Sequence, residues 1–187
     1  RSRLGWVMYD WANSAFVLCV VTVIGAQYFI YVFEEAAKAQ GDLRVGPAVA
    51  MNILGATLPG EAVWSFIVSA AAFIVVLTSP LLGALADGWR IKKRFLQSYC
   101  LMGAAATACL VWPQPWWVVG LLILAGAVGF EGGNVYYNAF LPEIADTDGQ
   151  TRMSSWGFAA GYIGGVVVLL ASLVLFTSTV LKEPVGS

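Results

Sequence analysis

Polar side chains interrupt two stretches of this sequence that are otherwise strongly apolar. Glu131 lies within one of them, and Asn134 and Asn138 follow it three and seven positions later. In an α-helix these three residues share one face. A carboxylate at the centre of a membrane helix costs about 2.5–3.5 kcal/mol on insertion scales, so Glu131 is expected to face a partner group or a water-filled cavity. It is either an acid that is hydrogen-bonded for structure alone or a carboxylate that binds substrate or a proton.

Asp10 has a similar setting near the start of the sequence. Asn13 and Ser14 follow it at i+3 and i+4, so the three polar residues lie on one side of a helix. Asp10 either stabilises the positive end of a helix N-terminus or takes part in binding substrate or a proton. We expect Asp10 and Glu131 to lie at similar depths toward the cytoplasmic side, so that their two polar faces converge.

Long uncharged runs supply the helices that must position these residues: 11–33, 62–86, 95–130 and 153–181. Each run reaches the ~20 apolar residues that carry a helix across a hydrocarbon core of ~30 Å. The third run has 36 residues, and Pro113 and Pro115 divide it into two helices joined by a hairpin. We therefore predict an all-α polytopic bundle whose five transmembrane spans lie at about 6–33, 62–86, 95–112, 116–141 and 153–176.

The composition excludes several classes of function. With 59% apolar residues, 11% charged residues and no histidine, the chain is expected to contact a lipid bilayer and to hold no cofactor and no metal of the common zinc type. The basic residues form no continuous stripe, so nucleic acid is not an expected partner. Cys19, Cys100 and Cys109 lie in apolar runs, as buried small residues do. The sequence shows no set of a nucleophile, a base and a residue that orients the base, so it does not indicate an enzyme.

The distribution of Lys and Arg predicts the orientation. Seven of these residues fall on the side of the N-terminus (Arg1, Arg3, Arg90, Lys92, Lys93, Arg94, Arg152) and three on the other (Lys38, Arg44, Lys182). By the positive-inside rule the N-terminus is cytoplasmic. The long segment from Glu34 to Glu61 is then external, and its glycines and prolines predict an irregular loop. The apolar centre of that loop, 48–54, is too short to span and is expected either at the membrane interface or as a cap on the bundle.

Small and aromatic residues recur in the last two predicted spans. Gly129 and Gly133 are four residues apart, as are Gly157, Gly161 and Gly165, and this spacing lets membrane helices approach closely. Because glycine has no side chain, these helix faces would also permit the helices to slide or bend. Tyr136, Tyr137 and Tyr162 either line a site for an apolar or aromatic solute or pack within the protein.

The segment between the second and third predicted spans combines a glycine, an aspartate and a cationic cluster. Gly83 and Asp87 stand four residues apart at the membrane edge, followed by Arg90, Lys92, Lys93 and Arg94. An ordinary positive-inside loop would explain the basic residues alone. The whole pattern resembles the signature loop of the major facilitator superfamily, G-x-L-A-D followed by a glycine and basic residues, although Arg90 and Ile91 stand where that loop usually has glycine and arginine.

Further stretches narrow the resemblance to one branch of that superfamily. These are Tyr9–Phe16, Ser79–Gly83, Gly129–Pro142 and Gly161–Gly165. In order and spacing they are similar to the branch that includes the autophagy-linked vacuolar amino-acid effluxer and its bacterial relatives.

The resemblance implies a fold and a function. It implies a transporter of twelve helices in two six-helix halves, of which this chain supplies helices one to five of the first half, while the sixth helix and the C-terminal half are absent from it. Helices one and four line the central cavity in that superfamily. A small organic solute, such as an amino acid, would move by proton-coupled alternating access across a bacterial plasma membrane, with the segment from Gly83 to Arg94 as a gating loop. The alternative is a non-transporting membrane scaffold or assembly subunit.

Overall fold

A computed structural model describes residues 2–41, 43–88 and 91–180 of the chain. Most of these residues are helical, which confirms the all-α prediction. In chain order the helical elements are α1 (Ser2–Phe16), a π-helical segment (Val17–Val23), α2 (Ile24–Gln40), α3 (Gly60–Gly88), α4 (Lys92–Cys109), α5 (Trp116–Ala139), α6 (Leu141–Ile144) and α7 (Thr147–Val180).

Four helical stretches in the described ranges are long and apolar enough to cross a membrane: Arg3–Gln40, Gly60–Ala86, Trp116–Ile144 and Gly149–Leu175. Helices suit such runs because a bilayer offers the backbone no hydrogen-bond partners, and a helix satisfies them internally. The chain is therefore a multi-pass membrane protein. Helix α4 has 18 residues and begins with three cations, so the third span stays a prediction.

A three-stranded sheet stands where the sequence predicted an irregular loop. Its antiparallel strands are β1 (Leu43–Val45), β2 (Ala48–Ile53) and β3 (Ala56–Pro59), with β2 in the centre. The expectation of an irregular segment over 34–61 is wrong, since α2 continues to Gln40 and the strands follow. Gly46, one of the residues that suggested it, is a turn residue, as is Gly55, because the two adopt positive φ angles of 61° and 89° between the strands.

The buried core joins this sheet to the ends of the helices. Its members come from α2, β2 and α5: Phe29, Phe33, Ala37, Val49, Met51, Val119 and Ile123. The ring of Phe33 meets the indole of Trp116 edge to face, with 5.3 Å between ring centroids. Burial of these apolar side chains fixes the sheet against the end of α2.

The chain divides into two compact units. One contains the described residues up to Thr22 and those from Leu141 onward, and the other contains Val23–Phe140. The boundary between the two units crosses the first helical stretch within the π-helical segment. In this segment the hydroxyl of Thr22 donates a hydrogen bond to the carbonyl oxygen of Val17, at 2.9 Å. Segments of this kind are rare in helices and frequently occur at functional sites.

Candidate functional site

The polar face predicted on α5 lies away from the packed interior of its unit. Glu131 and Asn138 are exposed there, and Asn134 is half-buried. Gly132, Gly133 and the two tyrosines that follow, Tyr136 and Tyr137, are buried. Within the Val23–Phe140 unit, α5 therefore packs through its glycines and tyrosines and leaves a carboxylate and amides on the other side.

Close contact between α4 and α5 sets the rotation of α5. A Cβ atom at Gly129 would lie 2.8 Å from the Cα atom of Gly103 and 2.8 Å from the carbonyl oxygen of Tyr99. A Cβ atom at Gly132 would overlap the ring of Tyr99. Only glycine fits at either position, so the glycine face of α5 must turn toward α4. That rotation turns Glu131 away from α4.

Three aromatic rings continue the same interface. Tyr136 stacks on Phe95 with 5.2 Å between ring centroids and on Tyr99 with 5.8 Å. The structure thus places Tyr136 in packing between α4 and α5, and it buries Tyr137 as well. Tyr162 differs, because its side chain is exposed on α7.

Asp10 lies against glycines of α7 in the other unit. Its Oδ2 atom is 3.1 Å from the position that a Cβ atom would take at Gly157 and 3.3 Å from the corresponding position at Gly161. The hydroxyl oxygen of Ser14 is 2.5 Å from that position at Gly161. The carboxylate and the hydroxyl therefore occupy space that any side chain at these α7 positions would need.

The contacting residues of α1 and α7 follow the same spacing. Trp6, Asp10, Ser14 and Leu18 recur every four residues along the first helical stretch, and they face Gly157, Gly161 and Gly165. This is a ridge of side chains packed into a groove of small residues. Asn13, also predicted as a site residue, is half-buried in α1.

The loop with the signature pattern is described in part. Gly83 lies in α3, and a Cβ atom there would meet nothing within 4 Å. Lys92, Lys93 and Arg94 form the first turn of α4, with Lys93 and Arg94 exposed. The backbone N–H of Ile91 donates to the carbonyl oxygen of Ala86 at 3.0 Å, which returns the chain to the end of α3. Arg90 and the side chain of Asp87 lie outside the described residues.

The structure brings together only some of the predicted site residues. Asp10 meets Gly157 and Gly161, and Gly129 meets Gly103, which the sequence did not single out. Asp10 and Glu131 belong to different units, so their convergence stays a prediction. Tyr99 was also missed. It lies four residues from both Phe95 and Gly103, and this helical spacing was the available signal.

Comparison with known proteins gives a consistent result. The model of the family described as vacuole effluxer Atg22 like matches residues 1–184. The chain is 33% identical over 177 residues to the uncharacterized MFS-type transporter YxiO of Bacillus subtilis (strain 168), covering 94% of this chain and 37% of that protein. It is 23% identical over 193 residues to autophagy-related protein 22 of Coccidioides immitis (strain RS), covering 86% and 31% of the two chains.

A third relative has a similar extent of coverage. Autophagy-related protein 22-2 of Penicillium rubens is 28% identical over 171 residues, which is 79% of this chain and 27% of that protein. The chain thus spans about a third of the length of the curated relatives it matches. No solved structure gives a significant match.

Proposed function

The chain belongs to the family of vacuole effluxer Atg22-like proteins, and on this premise we propose that it forms part of a secondary transporter that moves a small organic solute by alternating access. The solute class that we propose is amino acids, and the driving force is a proton gradient. The observation that carries the proposal is the polar face of α5, where Glu131 and Asn138 are exposed within their unit.

The packing of α5 supports a functional role for Glu131. A side chain at Gly129 or Gly132 would collide with α4, so these glycines fix the orientation of α5 about its own axis. In that orientation Glu131 lies on the side of α5 that faces away from α4. An acid that only satisfied the structure of the unit would be expected on the packed face. Carboxylates within membrane spans mark substrate paths and proton relays, because their cost in lipid is otherwise uncompensated.

Asn134 and Asn138 complete the proposed site. Amide side chains donate and accept hydrogen bonds, which suits the ammonium and carboxylate groups of an amino acid. The Glu131 carboxylate attracts the ammonium group of the solute or carries the coupled proton. A non-transporting scaffold, the alternative function, would not need a carboxylate at this position.

The proposal is tested with the complete transporter in liposomes. Uptake of radiolabelled leucine, phenylalanine, arginine and glutamate is measured with and without an inward proton gradient. We expect gradient-driven accumulation of at least one of the four, and its loss in the Glu131→Gln variant. The matched control is Glu61→Gln, which changes an exposed glutamate in the first turn of α3.

Exchange of solute across the membrane without a gradient separates the two roles of Glu131. Exchange survives in the Gln variant if the carboxylate only carries the proton, and it fails if the carboxylate binds solute. Unchanged rate, affinity and pH dependence in Glu131→Gln would refute the site. If none of the four solutes accumulates in the parent protein, the proposed solute class is wrong.

A further inference from the structure

The turn between β2 and β3 has an unusual occupant. Ile53 pairs with Ala56, so Leu54 and Gly55 form a two-residue turn, with positive φ angles of 52° and 89°. Asparagine or glycine normally fills the first of these positions, since a bulky side chain such as that of leucine is strained at a positive φ angle. The side chain of Leu54 is also completely exposed, at 103% of its reference area. A strained, fully exposed leucine needs a surrounding that favours it.

The hairpin that presents Leu54 carries no charge. From Ala48 to Pro59 the polar side chains are those of Asn52 and Thr57. Hairpins that extend into water usually carry charges that prevent association through their edges. In the neighbouring strand Leu43 and Val45 are exposed as well, on either side of the exposed Arg44. The uncharged hairpin from Ala48 to Pro59 thus has the composition of a segment in contact with an apolar medium, while a cation on β1 suits the headgroup layer.

The position of the hairpin places it beside the membrane. Pro59, the last residue of β3, is followed directly by Gly60, the first residue of the membrane-crossing helix α3. Four residues of strand extend about 13 Å, so the turn lies within that distance of the helix. The headgroup region on each side of the hydrocarbon core is about 5–8 Å thick, and the turn can therefore reach its boundary with the acyl chains.

Exposed tryptophans mark the same level of this unit. Trp112, in the connection between α4 and α5, and Trp117, in the first turn of α5, are exposed, while Trp116 packs against Phe33 in the core under the sheet. Tryptophan is enriched where spans leave the hydrocarbon core. The sheet and this aromatic belt thus belong to one end of the unit.

We propose that the Leu54–Gly55 turn is an interfacial anchor, and that its partner is the boundary between headgroups and acyl chains in the leaflet where α3 begins. Leu54 enters the outermost acyl region. The strands remain in the hydrated headgroup layer, because their free edges need hydrogen-bond partners that lipid tails do not provide. The anchor holds the sheet over the ends of α2 and α5.

A fluorescent probe at position 54 tests the anchor in the complete transporter. Every native cysteine of the complete transporter, Cys19, Cys100 and Cys109 included, is replaced by alanine, and Leu54→Cys is labelled with an environment-sensitive fluorophore in phosphatidylcholine liposomes. The matched control is Thr57→Cys, at an exposed position that pairs with Asn52 across the same hairpin. Quenching is measured with lipids that carry a nitroxide near the headgroup or near the end of the acyl chain, and with iodide in the water.

We expect the probe at position 54 to be quenched by the shallow nitroxide about twofold more than the probe at 57, and less by iodide. The deep nitroxide should quench it weakly. Quenching of both probes by iodide alone would overturn the anchor in favour of exposure to water. Protection of position 54 from all three quenchers would overturn it in favour of a protein partner. If Leu54→Cys does not fold, Ala56→Cys on the other side of the turn replaces it, with the same outcomes.

Discussion

Gly103 and Gly129 meet where α4 crosses α5, and a Cβ atom at Gly129 would lie 2.8 Å from both Cα and N of Gly103. Real Cβ atoms do not approach backbone atoms so closely. The obstacle is backbone, which cannot rotate away as a side chain can. The contact therefore fixes both the separation of the two helices and the direction in which α5 presents Glu131.

The first prediction concerns this contact. Gly129→Ala should lower the free energy of unfolding by about 1–3 kcal/mol, because the added methyl group forces α4 and α5 apart. Thermal unfolding of the purified protein in detergent measures the change. Gly5→Ala is the control, since a Cβ atom there meets nothing within 4 Å, and it should be neutral or stabilising by up to about 1 kcal/mol. Equal effects at the two positions would show that the contact is not tight.

The second prediction distinguishes two obstacles on α1. A Cβ atom at Gly164 would overlap the backbone carbonyl oxygen of Trp11, whereas one at Gly161 meets the hydroxyl of Ser14. Gly164→Ala should therefore destabilise more than Gly161→Ala, by about 1 kcal/mol or more. Adding Ser14→Ala should restore stability to Gly161→Ala and not to Gly164→Ala. Thermal unfolding of the single and double variants decides between them, and rescue of both would contradict the assignment.

The third prediction tests whether Asp10 and Glu131 act together. Asp10→Asn keeps the shape of the side chain beside Gly157 and Gly161, so the protein should reach the membrane at normal yield. Proton-driven uptake should fall. Residues that act as one unit show non-additive losses, so the double variant Asp10→Asn/Glu131→Gln should be no slower than the slower single variant. Losses that multiply would mean that the two acids work independently.

The fourth prediction fixes the orientation. In the cysteine-free complete transporter, a membrane-impermeant thiol reagent should label Gln40→Cys, at the end of α2, from outside intact cells. It should label Lys93→Cys only after the membrane is permeabilised, because the excess of positive charge favours the cytoplasm. Both positions are exposed, so access to the reagent depends on the side of the membrane. The opposite labelling pattern would reverse the predicted topology.

The sequence predicted that the chain is mostly helical, and it did not predict which helices pack against each other. Uncharged runs predict helices because charge is expensive in lipid, and the spacing of Glu131, Asn134 and Asn138 predicts a shared face because helical geometry is regular. Neither signal says what covers the opposite face. Gly103 lies among alanines that would also permit close packing, and its contact with Gly129 depends on the register between two helices.

The sheet was missed for a different reason. Gly46 and Gly55 break a helical pattern, and a broken pattern is equally typical of an irregular loop and of a tight turn. The two outer strands have three and four residues, and the six-residue central strand begins with four consecutive apolar residues, so the alternation of apolar and polar side chains is not visible in it. The relation between Asp10 and Glu131 depends on contacts between distant parts of the chain, which local spacing does not encode.

The packing of α1 against α7 has a consequence for the order in which the protein is made. Asp10 and Gly157 are 147 positions apart in the sequence, whereas the unit from Val23 to Phe140 is contiguous. At a synthesis rate of about 5–20 residues per second, α1 leaves the ribosome roughly 7–30 s before the glycines that will hold it. The contiguous unit can assemble during that interval. Helix α1 must then wait in the translocation machinery or in lipid with its carboxylate, so its packing against α7 follows the assembly of the contiguous unit.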